Sequence, residues 1–388
     1  MITRSTSKLP ELETLRGLMA LWVFVGHVVL LSGIRDENRI LRQISNAGLA
    51  VDVFIILSGF VITLLLLRES LSYSSYLARR FFRLYPVYVI SLVFSVVLRH
   101  YLGQPEGVRQ GLPWVDPDEI AISAAAHRSM IQYFWQHVVA HATMLHGALP
   151  RSVLPYAPQT FNGPAWSISL EWQFYLVAPM LLAMLRNLRR WLPVLLLIVL
   201  VAILSKRLTI GDDAQFRAAS FLPVRIHYFL IGMVCAVYFV HFRAVAAEYH
   251  RWIVLAVAAL AGVSEVYFFY PVLIWLGFFY LILSDERGAI EAVRRLILLR
   301  PARWLGRISY SLYLLHMPIL YAVAGLIATA SPPGSRWRFA ATLLAVALPL
   351  TLALSALCYR YVEKPFIDFA KKRFSGPPIP VAPVPGSV

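Results

Sequence analysis

The sequence predicts an all-α, polytopic integral membrane protein with about ten transmembrane helices. Hydrophobic residues make up 59% of the 388 residues and charged residues only 14%, whereas about a quarter of the residues of a soluble domain are charged. Apolar stretches recur from Leu15 to Tyr361 without a polar block long enough to form a soluble domain. We therefore expect one membrane domain over residues 1–374 and a disordered, proline-rich tail over 375–388.

The candidate spans come close to the roughly 20 apolar residues with which a helix crosses a hydrocarbon core of about 30 Å. In chain order they are 15–33, 48–67, 84–102, 166–185, 191–209, 221–242, 252–270, 271–284, 304–328 and 338–360. The segment 133–148 is only moderately apolar and carries three histidines. We expect it to lie at the outer interface or to re-enter the membrane without crossing it.

The distribution of basic residues predicts the orientation of these spans. If the N-terminus is cytoplasmic, 23 of the 36 lysine and arginine residues fall on inside segments. The positive-inside rule then places both termini in the cytoplasm, the loop 103–132 outside and the basic loop 285–303 inside, in a plasma or inner membrane. The net charge of +16 is spread in short clusters between apolar runs, which indicates membrane topology and contact with lipid, not nucleic-acid binding.

Cysteine spacing and the N-terminal segment exclude two further features. Cys235 and Cys358 lie inside apolar runs without a neighbouring Cys or His at ligand spacing, so neither a zinc site nor a disulfide framework is predicted, and no metal is expected. Residues 1–14 are polar, and no short apolar region with a cleavage site precedes the first span. No removable signal peptide is expected.

The first span carries two basic side chains on one face. Arg16 and His27 are eleven positions apart, which corresponds to three helical turns plus roughly 20° and a rise of about 16 Å. The structural alternative is a basic anchor residue and a histidine bonded to a neighbouring carbonyl. Ionisable groups inside a span are functional candidates, and a neutral imidazole is suited to take a proton from a hydroxyl.

The second span begins near an aspartate and continues into a small-residue segment. Asp52 is followed by Ser58 and Gly59 about two turns further on. A carboxylate at that depth must be paired or hydrated, so Asp52 either orients His27 or stabilises a helix terminus. Gly59 allows another backbone or a ligand to approach closely.

An arginine cluster precedes the third span. Arg79, Arg80 and Arg83 recur at helical spacing before Pro86. Guanidinium groups match phosphate oxygens in a bidentate manner, so this cluster binds either lipid headgroups or the phosphates of a ligand. Together with an inward-facing histidine, phosphate capture from a coenzyme A is the more economical interpretation.

Two later spans add polar side chains. In the fourth, Glu171 lies in a membrane segment between tryptophans, so we expect it to face the interior and to pair with an arginine or bind a sugar hydroxyl. In the ninth, Tyr313 and His316 are three positions apart and share a helix face. These residues form either a packed polar network or direct contacts with a substrate. The full set in the two spans is Asn162, Trp166, Ser167, Glu171, Tyr310, Tyr313 and His316.

Taken together, these segments resemble the acyltransferase-3 family of membrane proteins over nearly the whole chain. Four ordered motifs carry the resemblance, and one departs from the pattern because Ile55 replaces an aromatic residue. The matches are Arg16 and His27 for Arg-x10-His, Phe54, Ser58, Gly59 and Phe60 for Phe-Phe-x-x-Ser-Gly-Phe, Arg80 and Arg83 for Arg-x-x-Arg, and Trp166, Ser167 and Glu171 for Trp-Ser-x-x-x-Glu.

The resemblance implies a membrane O-acyltransferase that moves an acyl group, expected to be acetyl, from cytoplasmic acyl-CoA to a hydroxyl of an extracytoplasmic or membrane-associated glycan. His27 would be the general base, with Asp52 or Glu171 orienting the imidazole or the acceptor. The acyl-CoA site would comprise Arg16, Arg79, Arg80, Arg83 and Ser58, and the acceptor-binding or supporting residues would be Asn162, Trp166, Ser167, Tyr310, Tyr313 and His316.

Two alternatives remain at this point. The acceptor could be a macrolide-type small molecule, since relatives without an appended esterase-like domain, the form expected here, modify polysaccharide precursors, lipid-linked glycans or macrolides. A transporter or flippase of an anionic lipid-linked substrate would also need buried Arg, His and Glu residues. Inverted repeats with broken helices would favour transport, and none is evident in the sequence.

Overall fold

The computed structural model describes residues 9–102, 105–209, 215–216, 220–241, 252, 269–284, 288–330 and 334–375. The regular elements of this part of the chain are helices, and no β-strand occurs among the described residues. The predicted fold class is confirmed. The tail beyond Ser375 lies outside the described residues.

The helices are α1 (Pro10–Leu31), α2 (Arg39–Ser45), α3 (Ala47–Arg68), α4 (Tyr73–Leu102), α5 (Pro105–Gln110), α6 (Pro117–Gln132), α7 (Phe134–Ala142), α8 (Trp166–Arg186), α9 (Leu188–Ser205), α10 (Leu222–His241), α11 (Phe269–Leu283), α12 (Ala289–Ile297), α13 (Arg300–Ala330), α14 (Arg336–Cys358) and α15 (Lys364–Arg373). Short 3-10 turns cover Ile34–Asp36, His146–Ala148, Ala157–Gln159, Gly163–Ala165 and Lys206–Thr209, and one π-helical turn covers Tyr359–Glu363.

Seven stretches of described helix are long and apolar enough to cross a membrane: Pro10–Leu31, Ala47–Arg68, Tyr73–Leu102, Gly163–Arg186, Leu222–His241, Arg300–Ala330 and Arg336–Arg373. They correspond to seven of the predicted spans. Two further predictions match shorter helices, namely α9 for 191–209 and α11 for 271–284. The predicted span 252–270 lies almost entirely outside the described residues.

The segments 103–132 and 133–148 also contain helices. Helix α7 has nine residues and is therefore about 14 Å long, too short by itself to cross a hydrocarbon core of about 30 Å. The location of 133–148 at the outer interface or in a re-entrant segment stays a prediction. The loop 103–132, expected to be polar and external, contains helices α5 and α6. Proline at the first position of α6 and the Asp116 carboxylate, which accepts the Asp118 N–H, start that helix.

Close glycine contacts set the centre of the bundle. A Cβ atom on Gly232 of α10 would lie 1.9 Å from the Ile56 carbonyl oxygen of α3. Between α1 and α13, a Cβ atom on Gly306 would lie 2.0 Å from the Glu13 carbonyl oxygen. Small residues let membrane helices approach backbone to backbone, so these two pairs determine how the polar faces of α1, α3 and α13 meet.

Candidate active site

A cavity opens between α1, α3, α4, α8, α10 and α13. It encloses about 800 Å³ of space, open solvent at its mouth included. Apolar side chains such as Phe54, Ile55 and Phe229 form much of its wall. It also brings together eight of the residues predicted from sequence, namely Arg16, Ser58, Arg80, Arg83, Ser167, Glu171, Tyr310 and Tyr313.

The arginines of the cavity differ in their partners. Arg83 forms an ion pair with Glu363, a carboxylate that the sequence analysis did not single out. Arg16 and Arg80 make no hydrogen bond or ion pair with any residue that the structure describes, and the Nε of Arg80 is buried without a partner. Both side chains are partly buried, and their guanidinium N–H groups are donors that suit carboxylate or phosphate oxygens.

Arg79 lies outside this arrangement. Its side chain is buried and forms an ion pair with Glu69, just after α3, and it does not line the cavity. The helical spacing of the cluster separates Arg79 from Arg80 by about 100° around the helix axis. The structure therefore divides the predicted arginine cluster between a structural ion pair and the cavity.

Glu171 accepts hydrogen bonds inside the cavity. Ser58 Oγ of α3 donates to Glu171 Oε1 over 2.9 Å, and the hydroxyl of Tyr175, one turn further along α8, donates to the same oxygen. The bond from Ser58 joins α3 to α8. The predicted inward orientation of Glu171 is observed, and its hydrogen-bond donors are hydroxyl groups.

Tyr313 lines the cavity on α13. Its hydroxyl is 2.8 Å from Ser167 Oγ and donates to the Pro164 carbonyl oxygen over 3.1 Å. The ring of Phe54 packs edge-on against it, with centroids 5.9 Å apart. Tyr310, one turn earlier, donates to the Leu84 carbonyl oxygen over 2.7 Å. The Tyr310 and Tyr313 hydroxyl groups therefore anchor α13 to α4 and to the entry of α8.

His27 is not among the residues that line the cavity. Its Nδ1 is 2.8 Å from the Val23 carbonyl oxygen and 3.3 Å from Nε2 of His316. The His316 ring lies 5.9 Å from the Tyr313 ring, between centroids. The structure thus places His27 one side chain away from the lining, in contact with a second histidine.

Asp52 has a different partner from the one considered in the sequence. It forms an ion pair with Arg225 of α10 and is not a lining residue. Arg225 was not singled out by sequence, because an arginine near the start of a span is indistinguishable there from a topological anchor. The carboxylate therefore joins α3 to α10.

The remaining predicted residues support the entry of α8. Asn162 donates from Nδ2 to the Leu314 carbonyl oxygen over 2.9 Å and to Ser91 Oγ over 3.3 Å. Trp166 begins α8 and packs against the hydrophobic core without lining the cavity. These contacts fix the segment before Ser167 against α4 and α13.

A buried histidine cluster lies next to this entry. The rings of His141 and His146 stack with centroids 4.0 Å apart, and His146 Nε2 is 3.2 Å from the Ala165 carbonyl oxygen. Burial lowers the pKa of His146 to about 3 and that of His137 to about 4, so both are neutral at neutral pH. Within the described ranges, no group of three or more His, Cys, Asp or Glu side chains is arranged to hold a metal ion.

The helical bundle defines an all-α polytopic membrane protein with an internal cavity. The chain belongs to the acyltransferase-3 family, because the family model described as an acyltransferase domain matches residues 9–360. The resemblance inferred from the motifs is therefore confirmed.

Three relatives whose names state an activity are distant in sequence. Acyltransferase MdmB of Streptomyces mycarofaciens is 28% identical over 183 residues, which cover 46% of this chain and 41% of that protein. O-acetyltransferase OatA of Staphylococcus aureus is 23% identical, covering 95% of this chain and 58% of that protein. Peptidoglycan O-acetyltransferase OatA of Listeria monocytogenes is 24% identical, with coverages of 83% and 52%.

The chain spans about half the length of the curated relatives it matches. No solved structure matches it significantly.

Proposed function

We propose that this protein is a membrane-bound O-acyltransferase that moves an acetyl group from acetyl-CoA to a hydroxyl of a cell-envelope glycan. Family membership supports acyl transfer. The names of two relatives, an O-acetyltransferase and a peptidoglycan O-acetyltransferase, support an acetyl group and a glycan acceptor. The observation that carries the choice of donor is the pair of cavity arginines, Arg16 and Arg80, for which the described residues provide no hydrogen-bond or ion-pair partner.

The shape and lining of the cavity suit a donor of this kind. Arg16 precedes His27 by eleven residues on α1, a rise of about 16 Å. A donor that binds at Arg16 and extends to the level of His27 must be long, anionic at one end and reactive at the other. Coenzyme A thioesters carry phosphates at one end and the acyl group at the other, and the apolar wall formed by Phe54, Ile55 and Phe229 suits the arm between them.

In the proposed reaction, the acceptor hydroxyl attacks the thioester carbonyl carbon while His27 takes the hydroxyl proton. The C–S bond breaks as the tetrahedral species collapses, and the departing CoA thiolate receives that proton from His27. The products are an O-acetyl ester and CoA thiol. Glu171 holds a reacting group through the hydrogen-bonded network it forms with Ser58 and Tyr175. General-base catalysis of this type contributes roughly 10² to 10⁴ in rate.

Asp52 contributes to this site only through the fold. Its ion pair with Arg225 supports the α3–α10 contact behind the cavity, and we assign it no proton transfer. The end of the bundle that carries Arg16 and Arg80 faces the cytoplasm in this proposal, and both termini lie on that side. The acceptor approaches from the opposite side of the membrane.

The test is acetyl transfer by the purified full chain in proteoliposomes. Radiolabelled acetyl-CoA is supplied with peptidoglycan fragments, and the product is analysed by mass spectrometry. We expect a glycan that gains one acetyl group and a His27→Ala variant whose rate falls at least about 100-fold. Unchanged acetyl-CoA together with movement of a lipid-linked glycan across the bilayer would establish transport instead.

A further inference from the structure

The geometry points to His316 as the positioning residue that fixes the tautomer of His27 and accepts its Nδ1–H during catalysis. The inference rests on the proposed function, because it assigns a partner to the proposed base. In this arrangement, Nε2 of His27 is the atom that takes the proton of the acceptor hydroxyl.

A backbone contact fixes the tautomer of His27. Its Nδ1 lies 2.8 Å from the Val23 carbonyl oxygen. A carbonyl oxygen can only accept a hydrogen bond, so Nδ1 must carry the proton. In the neutral imidazole the other nitrogen, Nε2, then holds the free lone pair. Nε2 is therefore the only ring nitrogen of His27 that can act as a base.

A backbone contact also fixes the tautomer of His316. Its Nδ1 lies 2.7 Å from the Tyr313 carbonyl oxygen and must also be protonated. Its Nε2 is therefore an acceptor, and this atom faces Nδ1 of His27 over 3.3 Å. The N–H of His27 is shared between the Val23 carbonyl and the His316 ring. The two neutral rings are consequently compatible in one tautomeric arrangement.

The contact between the two rings changes when His27 is charged. When Nε2 of His27 takes the acceptor proton, the ring becomes an imidazolium and its Nδ1–H becomes a stronger donor. The hydrogen bond to His316 Nε2 is then charge-assisted, a class roughly twice as strong as neutral hydrogen bonds. A third group that orients the base recurs in nucleophile–base sites. Asp52 is bound to Arg225, and Glu171 accepts from Ser58 and Tyr175. The side chain that contacts Nδ1 of His27 is His316.

The surroundings hold His316 in place. It is 0% exposed, and the rings of Phe24 and Tyr313 flank it with centroids 6.5 Å and 5.9 Å away. The register of α1 against α13 is set by the close contact between Gly17 and Gly306, where a Cβ on Gly17 would lie 2.7 Å from the Gly306 nitrogen. Each histidine follows the glycine on its own helix by ten residues. The glycine contact thus places the two rings at the same height.

The test compares His316→Gln with His316→Asn in the acetyl-transfer assay. The Gln side chain reaches far enough for its carbonyl to replace Nε2 as acceptor, whereas Asn is one methylene shorter and reaches only the position of Nδ1. We expect Asn to lower kcat about 100-fold and Gln to retain activity within about tenfold of the wild type, since acid–base assistance contributes roughly 10² to 10⁴. The KM for acetyl-CoA should stay within about twofold in both.

The control is the same pair of substitutions at His137, which is buried outside the site. We expect those variants to change thermal stability without the difference in kcat between Gln and Asn. Equal kcat values for the two His316 variants, in protein that elutes as the wild type does, would overturn the positioning role. An inactive wild type would instead contradict the proposed function. An inactive His27→Ala with a fully active His316→Asn would contradict only this inference.

Discussion

Arg83 and Glu363 form a buried ion pair although 280 positions separate them in the chain. Glu363 is 1% exposed and also accepts a hydrogen bond from Ser311 Oγ over 2.7 Å. It lies at the end of the π-helical turn between α14 and α15. The pair therefore joins α4 and α13 to the last helices and closes one wall of the cavity.

Replacing Glu363 with Gln should strongly destabilise the protein. The substitution leaves Arg83 buried without a counter-charge, and breaking one partner of a buried ion pair costs about 3–5 kcal/mol. Thermal unfolding in detergent measures the effect. Asp368→Asn is the matched control, because the Lys364–Asp368 pair has side chains that are 58% and 46% exposed and such pairs contribute about 0–1 kcal/mol. Equal shifts in the two variants would contradict a special role for the buried pair.

Removing a cavity arginine should weaken coenzyme A binding. Arg16→Ala or Arg80→Ala should lower the affinity for CoA about 10- to 100-fold, since a hydrogen bond to a charged group contributes about 1.5–3 kcal/mol. Titration calorimetry on the purified protein measures this affinity. Arg79→Ala is the control, because Arg79 is paired with Glu69 outside the cavity; it should reduce stability and leave CoA affinity unchanged. If all three variants bind CoA as the wild type does, the arginines bind lipid headgroups or stabilise the fold and do not bind CoA.

A methyl group on Gly232 should force α3 and α10 apart. The added Cβ would lie 1.9 Å from the Ile56 carbonyl oxygen and 2.7 Å from the Phe60 nitrogen. Because neither backbone atom can move away alone, we expect Gly232→Ala to cost about 1–3 kcal/mol of stability, the usual range for overpacking. Gly277→Ala provides the comparison, since no atom lies within 4 Å of its added Cβ. A Gly232→Ala variant as stable as Gly277→Ala would refute the close contact.

Acid should destabilise the protein through its buried histidines. Burial lowers the pKa of His137 to about 4 and that of His146 to about 3, whereas an unfolded histidine titrates near pH 6.5. Between these values the unfolded chain binds more protons, so stability falls as the pH drops below about 6.5 and levels off only below the folded pKa values.

Thermal unfolding from pH 7.5 to 4 measures this dependence. His146→Gln should show a shallower decline than the wild type, because it removes one group that must stay neutral in the fold. A parallel decline in both proteins would assign the acid sensitivity to other groups.

The proposed orientation can be tested without knowing the substrate. In a background with Cys235 and Cys358 replaced by Ser, Asp118→Cys in the loop 103–132 should react with an impermeant maleimide on intact cells. Ala292→Cys in the loop 285–303 should react only after permeabilisation. Both positions are exposed, so accessibility of the side chain itself does not limit labelling. The reverse pattern would invert the topology.

Sequence alone determined the class of the protein and much of the cavity. Spans are predictable because a helix in lipid must satisfy its own backbone hydrogen bonds and be apolar over a fixed length, which is why Pro10–Leu31 and Ala47–Arg68 match their predicted segments closely. Ser58, Glu171 and Tyr313, which were predicted from the sequence as site residues, line the cavity because polar groups inside a span face the interior.

Tertiary structure alone decided which polar groups meet. The sequence indicates that Asp52 must be paired or hydrated but does not identify Arg225 as its partner. Likewise, nothing near Glu363 in the sequence indicates that it pairs with Arg83. The contact between His27 and His316 likewise depends on the glycine register of α1 against α13. The physical reason is that hydropathy and helical periodicity act within one helix, whereas pairing of buried charges and imidazoles depends on the relative heights and rotations of helices distant in the chain.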